Sequence, residues 1–108
     1  MKSVLLDENL PRKLRRDLRE FAVRTVQEEN WTSFANGELL VRAQGRFDVL
    51  LTADRRLQFQ QSLARFNIGV VVIVTVTLQY RHIRLAIGEI RTALAIIEPG
   101  QVLQVQVP

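Results

Sequence analysis

The chain has 108 residues, 47% of them apolar, which is one domain by length and enough to bury roughly two thirds of its unfolded surface without staples. It has no cysteine and a single histidine, His82, so disulfide frameworks, zinc-thiolate and iron–sulfur sites, a thiol nucleophile and a multi-histidine metal site are excluded. Its net charge is +4, and arginine supplies all the positive side chains except Lys2 and Lys13, a composition suited to phosphate as much as to a plain soluble surface.

Ser3 to Leu6 is a short apolar run ended by Asp7-Glu8-Asn9, and it reads as a buried strand. Leu10, Leu14, Leu18, Phe21 and Ala22 recur at helical spacing behind Pro11, which predicts a helix. Arg12, Lys13, Arg15, Arg16 and Arg19 fall mostly on its other face. Ala22 to Val26 follows as a second strand, and the polar stretch 27–35, with Trp31 and Phe34, as a loop. Asn36 is a candidate N-cap for a helix that carries Glu38 in its first turn and runs to about Gln44, before Gly45.

Asp48 to Thr52 is the third strand, and Asp54 caps a predicted helix through about Arg65. Gly69 to Val74 is β-branched and apolar, as central parallel strands are. The longest predicted helix runs from Arg81 to Ile97. After the Pro99-Gly100 turn, Leu103, Val105 and Val107 alternate with glutamines over Val102–Val107, the pattern of a half-exposed edge strand.

Strands alternating with helices predict a three-layer α/β sandwich around a mostly parallel sheet. The expected order is 2-1-3-4 with the C-terminal strand at an edge. A topological switch point then lies between the first and third strands, where ligands collect at the carboxyl ends. Asp7, Glu8 and Asn9 leave the first strand there, and Thr52, Ala53, Asp54 and Arg55 leave the third. Glu38 belongs to the same end by topology. Clustered carboxylates raise one another's proton affinity, and a fold that keeps them does so mainly for a hard divalent cation. Such an ion ionises water and neutralises charge on a phosphoryl group, so metal-dependent phosphodiester hydrolysis is expected. Helix capping alone competes as a role for Asp7, Asn36 and Asp54.

The supporting residues are Asn9, to orient water, Thr52, to donate a hydrogen bond, and Arg55, to bind phosphate in preference to Arg56. Arg12, Lys13 and Arg16 are candidates for an RNA-backbone patch, against the plain reading of a wet helix face. Trp31 and Phe34 fit core-edge packing better than base stacking. His82 has no acid near it in sequence and is not expected to act as a base.

At these residues the chain resembles a known family. Leu-Leu-Asp-Glu-Asn-Leu-Pro at 5–11, Gly-Glu-Leu-Leu at 37–40 and Phe-Asp-Val-Leu-Leu-Thr-Ala-Asp-Arg at 47–55 look like the PIN-like nucleases, in their short bacterial branch of toxins from toxin–antitoxin pairs. The Ile-Gly-Val-Val-Val-Ile strand and the Pro-Gly-Gln-Val ending fit as well. The resemblance implies a PIN-like fold, an acidic site using Mg²⁺ or Mn²⁺, and cleavage of single-stranded RNA. Asp7 matches the first-strand aspartate, Glu38 the helix acid and Asp54 the acid after the Thr-x-Asp turn. It also implies a cognate antitoxin. Apart from the resemblance, a homodimer is a further partner the chain could have, and the sequence leaves the oligomeric state open.

The chain departs from the pattern at Asn36, where relatives often carry an acid, and the family's fourth acid has no clear match. Asp48 is a candidate in sequence, but it starts the third strand and belongs to the wrong end of the sheet. These departures favour the alternative of a PIN-like binding module without catalysis. A phospho-acceptor receiver-like domain also places acids after strands one and three, but needs a lysine after the last strand, and none follows position 13. The longest apolar run, Val70–Val74, is far short of the roughly 18 residues a membrane span needs, so no membrane partner is expected. Met1-Lys2 leads straight into a strand-like segment without a signal-peptide pattern, and a cytoplasmic protein is expected.

Overall fold

The computed structural model describes residues 1–57 and 62–108. Among these, five strands form one sheet: β1 (Ser3–Leu6), β2 (Ala22–Thr25), β3 (Val49–Thr52), β4 (Gly69–Val74) and β5 (Val102–Gln106). Their order is β2-β1-β3-β4-β5, and every neighbouring pair is parallel. The expected 2-1-3-4 order is therefore observed, with the C-terminal strand added beside β4.

Side chains alternate across a strand, so each strand feeds both faces. Val4, Leu6, Val49, Leu51, Val71 and Ile73 face one layer, while Leu5, Leu50, Val70 and Val72 face the other. Burial on both faces is why these segments read as continuous apolar runs. α1 (Asn36–Ala43) covers the second face with Leu39, Leu40 and Ala43. α2 (Tyr80–Ile83) and α3 (Ile87–Ile96) cover the first with Ile83, Ile90 and Leu94. The result is a three-layer α/β sandwich.

Several boundaries differ from expectation. The helix predicted from Leu10 is a 3-10 helix over Arg12–Asp17, closed by bonds from Leu14 N to Pro11 O and from Leu18 N to Arg15 O. Its leucines, Leu14 and Leu18, are buried as the spacing required, while Arg12, Lys13, Arg15, Arg16 and Arg19 are exposed. The helix predicted from Arg81 starts at Tyr80 and is interrupted by a 3-10 turn at Arg84–Ala86. Asn36 is not the cap of α1; Ala35 holds that position and Asn36 is the first helical residue. Residues 58–61 of the helix expected after Asp54 lie outside the described residues, beyond which Leu63–Arg65 is a 3-10 helix.

Two contacts fix the amino end of the sheet. At the amino end, Asp48 Oδ2 accepts from Ser3 N at 2.8 Å and from Ser3 Oγ at 3.0 Å. Asp48 is thus at the end opposite the switch point, as its place in the strand required. Nearby, Lys2 Nζ donates to Ala95 O at 3.1 Å and Ile97 O at 2.7 Å, setting a cation on the carbonyl end of α3.

Gly69 opens β4 where the chain after α3 crosses it. A Cβ there would lie 2.9 Å from Ile97 Cγ1 and 3.1 Å from Glu98 O. Gly69→Ala is expected to destabilise the protein by about 1–3 kcal/mol, the usual cost of overpacking. Urea unfolding checks this, with an unchanged midpoint counting against the close approach.

Candidate functional site

The parallel register brings the carboxyl ends of β1 and β3 side by side, with Leu6 opposite Leu51. The ladder continues one residue further, because Asp7 N donates to Leu51 O at 2.9 Å. The chain then turns away, and the Asp7 side chain is left at the switch point, only 9% exposed. Its Oδ1 accepts from Glu8 N at 2.8 Å, and its Oδ2 accepts from Thr52 Oγ1 at 2.7 Å. No cationic side chain among the described residues pairs with it.

Thr52 is fully buried, and its hydroxyl also accepts from Asp54 N at 3.0 Å. One hydroxyl therefore joins the first-strand acid to the turn that carries the third-strand acid. The Asp54 carboxylate is held on several sides. Its Oδ1 accepts from Arg56 N at 3.0 Å and Arg56 Nε at 3.2 Å, and its Oδ2 accepts from Asn36 Nδ2 at 3.2 Å. Burial pushes the Asp54 carboxyl up, but hydrogen bonds from Arg56 and Asn36 outweigh it and leave the group below the ordinary aspartate value.

That direction corrects an expectation. The acids were expected to raise one another's proton affinity, whereas Asp54 moves the other way because hydrogen bonds from Arg56 and Asn36 and the Arg56 charge outweigh its burial. Arg56 rather than Arg55 supplies the cation. The Asp54 carboxylate takes the Arg56 amide at the start of the turn, which brings that residue's guanidinium back over the acid. Arg55 is exposed and makes no ion pair with a described residue.

Asp7, Thr52 and Asp54 are thus brought together, and Asn9 adjoins them through a long bond from Ala53 N to Asn9 Oδ1 at 3.4 Å. Glu38 is not joined to this group. It lies two residues beyond Asn36, but its carboxylate is 53% exposed and pairs with Arg42 one turn on, at 3.5 Å. Among the described residues no group of three His, Cys, Asp or Glu side chains is arranged to hold a metal ion. Asn36, read from sequence as a cap and a missing acid, instead ties α1 to Asp54. An amide there can donate to Asp54 where a carboxylate would repel it.

Arg12, Lys13 and Arg16 are exposed on the 3-10 helix that leaves the site end of β1. Lys13 Nζ stands 5.9 Å from the centre of the Tyr80 ring, and Tyr80 donates to Asp17 Oδ2 at 2.5 Å. Trp31 and Phe34 pack against the second core, Trp31 edge-on to Phe47 at 6.1 Å, which is the core-edge role expected of them. Sequence reasoning missed that arginines stack on this group: Arg42 lies 4.3 Å from the Phe34 ring and Arg46 5.5 Å from Trp31. His82 has a buried Nε2 without a hydrogen-bond partner and no acid among its described contacts.

No known protein family, curated protein or solved structure matches the chain significantly.

The lowered Asp54 value sets a pH dependence. A carboxyl depressed on folding adds stability above its unfolded pKa of about 3.9, and loses it as pH falls through the folded value. Asp54→Asn is therefore expected to be less stable than the parent at pH 6–7, with the difference shrinking as pH falls below about 4. Paired denaturant titrations across that range measure it; a gap independent of pH would show that the charge of Asp54 contributes nothing.

Proposed function

We propose that the protein is a divalent-metal-dependent ribonuclease that cleaves single-stranded RNA. The observation that carries this reading is Asp7: a nearly buried carboxylate at the switch point, without a cationic partner among the described residues, linked through Thr52 to a second acid. Burying a charge without a countercharge is costly, and a hard cation supplies one. Mg²⁺ is commonly held by roughly one or two carboxylates with several retained waters, so Asp7 and Asp54 fit it without Glu38. Mn²⁺ suits the same oxygen donors.

Asp7 and Asp54 would hold the ion, which when bound supplies an ionised water and neutralises charge on the phosphoryl group. Thr52 fixes the Asp7 oxygen by its hydrogen bond, and Asn36 and Arg56 fix Asp54. Asn9 offers an amide beside them to orient water. Arg12, Lys13, Arg16 and Arg55 offer cations to the RNA backbone from neighbouring segments. The motifs resembling PIN-like toxins support the same chemistry, together with a cognate antitoxin and a cytoplasmic setting. No helix among the described residues is long and apolar enough to cross a membrane.

A second reading has its own observations. Glu38 is engaged with Arg42, and Asn36 stands where the PIN-like toxins that the motifs resemble often carry an acid, which supports a binding module without catalysis. Incubation with defined single-stranded RNAs in Mn²⁺, Mg²⁺ or chelator separates the two. We expect metal-dependent cleavage that Asp7→Asn abolishes. Thr52→Val should lower it about 10–100-fold, as loss of a group orienting a metal ligand does. RNA binding without cleavage supports the module instead, and cleavage that survives both chelator and Asp7→Asn contradicts the site.

A further inference from the structure

The sheet has two edges, and they differ in chemistry. β2 is short and carries Arg24, whose guanidinium is paired with Glu29. Charged side chains of this kind protect an edge from pairing. β5, at the other edge, reads Val-Leu-Gln-Val-Gln and carries no charge. Among the described residues it pairs with β4 alone.

The direction of its backbone groups follows from the ladder. Gln101 O accepts from Val70 N at 3.0 Å, and Val107 N donates to Val74 O at 2.9 Å. Alternate residues of a parallel strand bond to the same neighbour, so Leu103 and Val105 also turn toward β4. The N–H and C=O groups of Val102, Gln104 and Gln106 therefore point outward, where no described strand receives them. Beside this row runs a groove of about 600 Å³ between β5 and α3. Leu103 and Val105 line it on the strand side, and Gly88, Thr92 and Ile96 on the helix side. Ile96 is 61% exposed, and among the described residues Glu89 is the only charged one lining the groove.

We propose that a second copy of this chain docks here, β5 antiparallel to β5 about a two-fold axis at Gln104. The strand is complementary to itself under that operation. Gln104 faces its counterpart and Val102 faces Gln106, and these are the residues whose backbone groups point outward. Each such pair can exchange both N–H···O bonds. Leu103 then opposes Val105 at the intervening non-hydrogen-bonded position, on the face that α3 shares. No like charges meet along the strand, whereas the same operation on β2 would bring two Arg24 side chains onto neighbouring positions.

A two-fold axis perpendicular to the sheet keeps both α3 helices on one side. The small residues Gly88 and Thr92 permit their approach, and Ile96 is covered. Closure about the axis uses both β5 edges, so the contact ends at a dimer rather than growing into a fibre.

Sedimentation equilibrium over about 1–100 µM protein tests this, the range in which a micromolar dimer dissociates. The parent should be a dimer at the upper end. Gln104→Lys places like charges across the axis and should raise the dimer Kd at least about tenfold. Ile96→Lys, on the helix and outside the ladder, should weaken it in the same direction without touching a strand hydrogen bond. Circular dichroism confirms that both variants fold. Hydrogen exchange adds a direct readout, since the Gln104 amide should gain protection as protein concentration rises. A parent monomeric at 100 µM, or a dimer that both folded variants form as tightly as the parent, overturns the proposal.

Discussion

The arrangement at the switch point depends on the hydroxyl of Thr52. A hydroxyl has one donor and can accept as well, and here both capacities are used in a fully buried place. Its proton goes to Asp7 and its lone pair to the amide of Asp54. Valine in its place would keep the shape and leave a buried carboxylate oxygen and a backbone N–H unpaired, each costing about 1–3 kcal/mol. The parallel pairing of β1 with β3 brings Thr52 and Asp7 within reach, and the turn after Thr52 brings Asp54. Fold and candidate chemistry meet at this one residue.

The two acids so joined have different surroundings. Asp54 is stabilised as an anion by a guanidinium, a side-chain amide and a backbone amide. Among the described residues Asp7 receives only neutral donors, and it is the more buried of the two. A cation shared between them would therefore add most where the protein itself supplies least. Asn36 has a part in this balance. An acid at its position would add repulsion beside Asp54, while the amide donates a hydrogen bond and ties the start of α1 to the crevice.

Much of the fold was legible in the sequence because the signal was strong. Four apolar strand segments separated by turn residues, with polar-patterned segments between, leave few arrangements other than a parallel sheet with both faces covered. The partnership of Asp7 with the third strand followed from strand order alone. Details set by competing local interactions were not legible. The segment expected as an α-helix is a 3-10 helix over Arg12–Asp17, though its leucine spacing was sound. Asn36 had a better partner in Asp54 than in the amides of its own helix. Arg56 rather than Arg55 met Asp54, a choice decided by one residue of turn geometry. Glu38 stands in the first turn of α1 as expected, but its carboxylate pairs with Arg42 one turn away.

The central claim is that Asp7 and Asp54 form a divalent-cation site. Titration of ¹⁵N-labelled protein with Mn²⁺ tests it without reference to catalysis. The account predicts that paramagnetic broadening begins at the amides of Glu8, Ala53 and Asp54, and that Asp7→Asn removes this effect while the spectrum stays that of a folded protein. Broadening that starts elsewhere, or that is the same in Asp7→Asn, would contradict it.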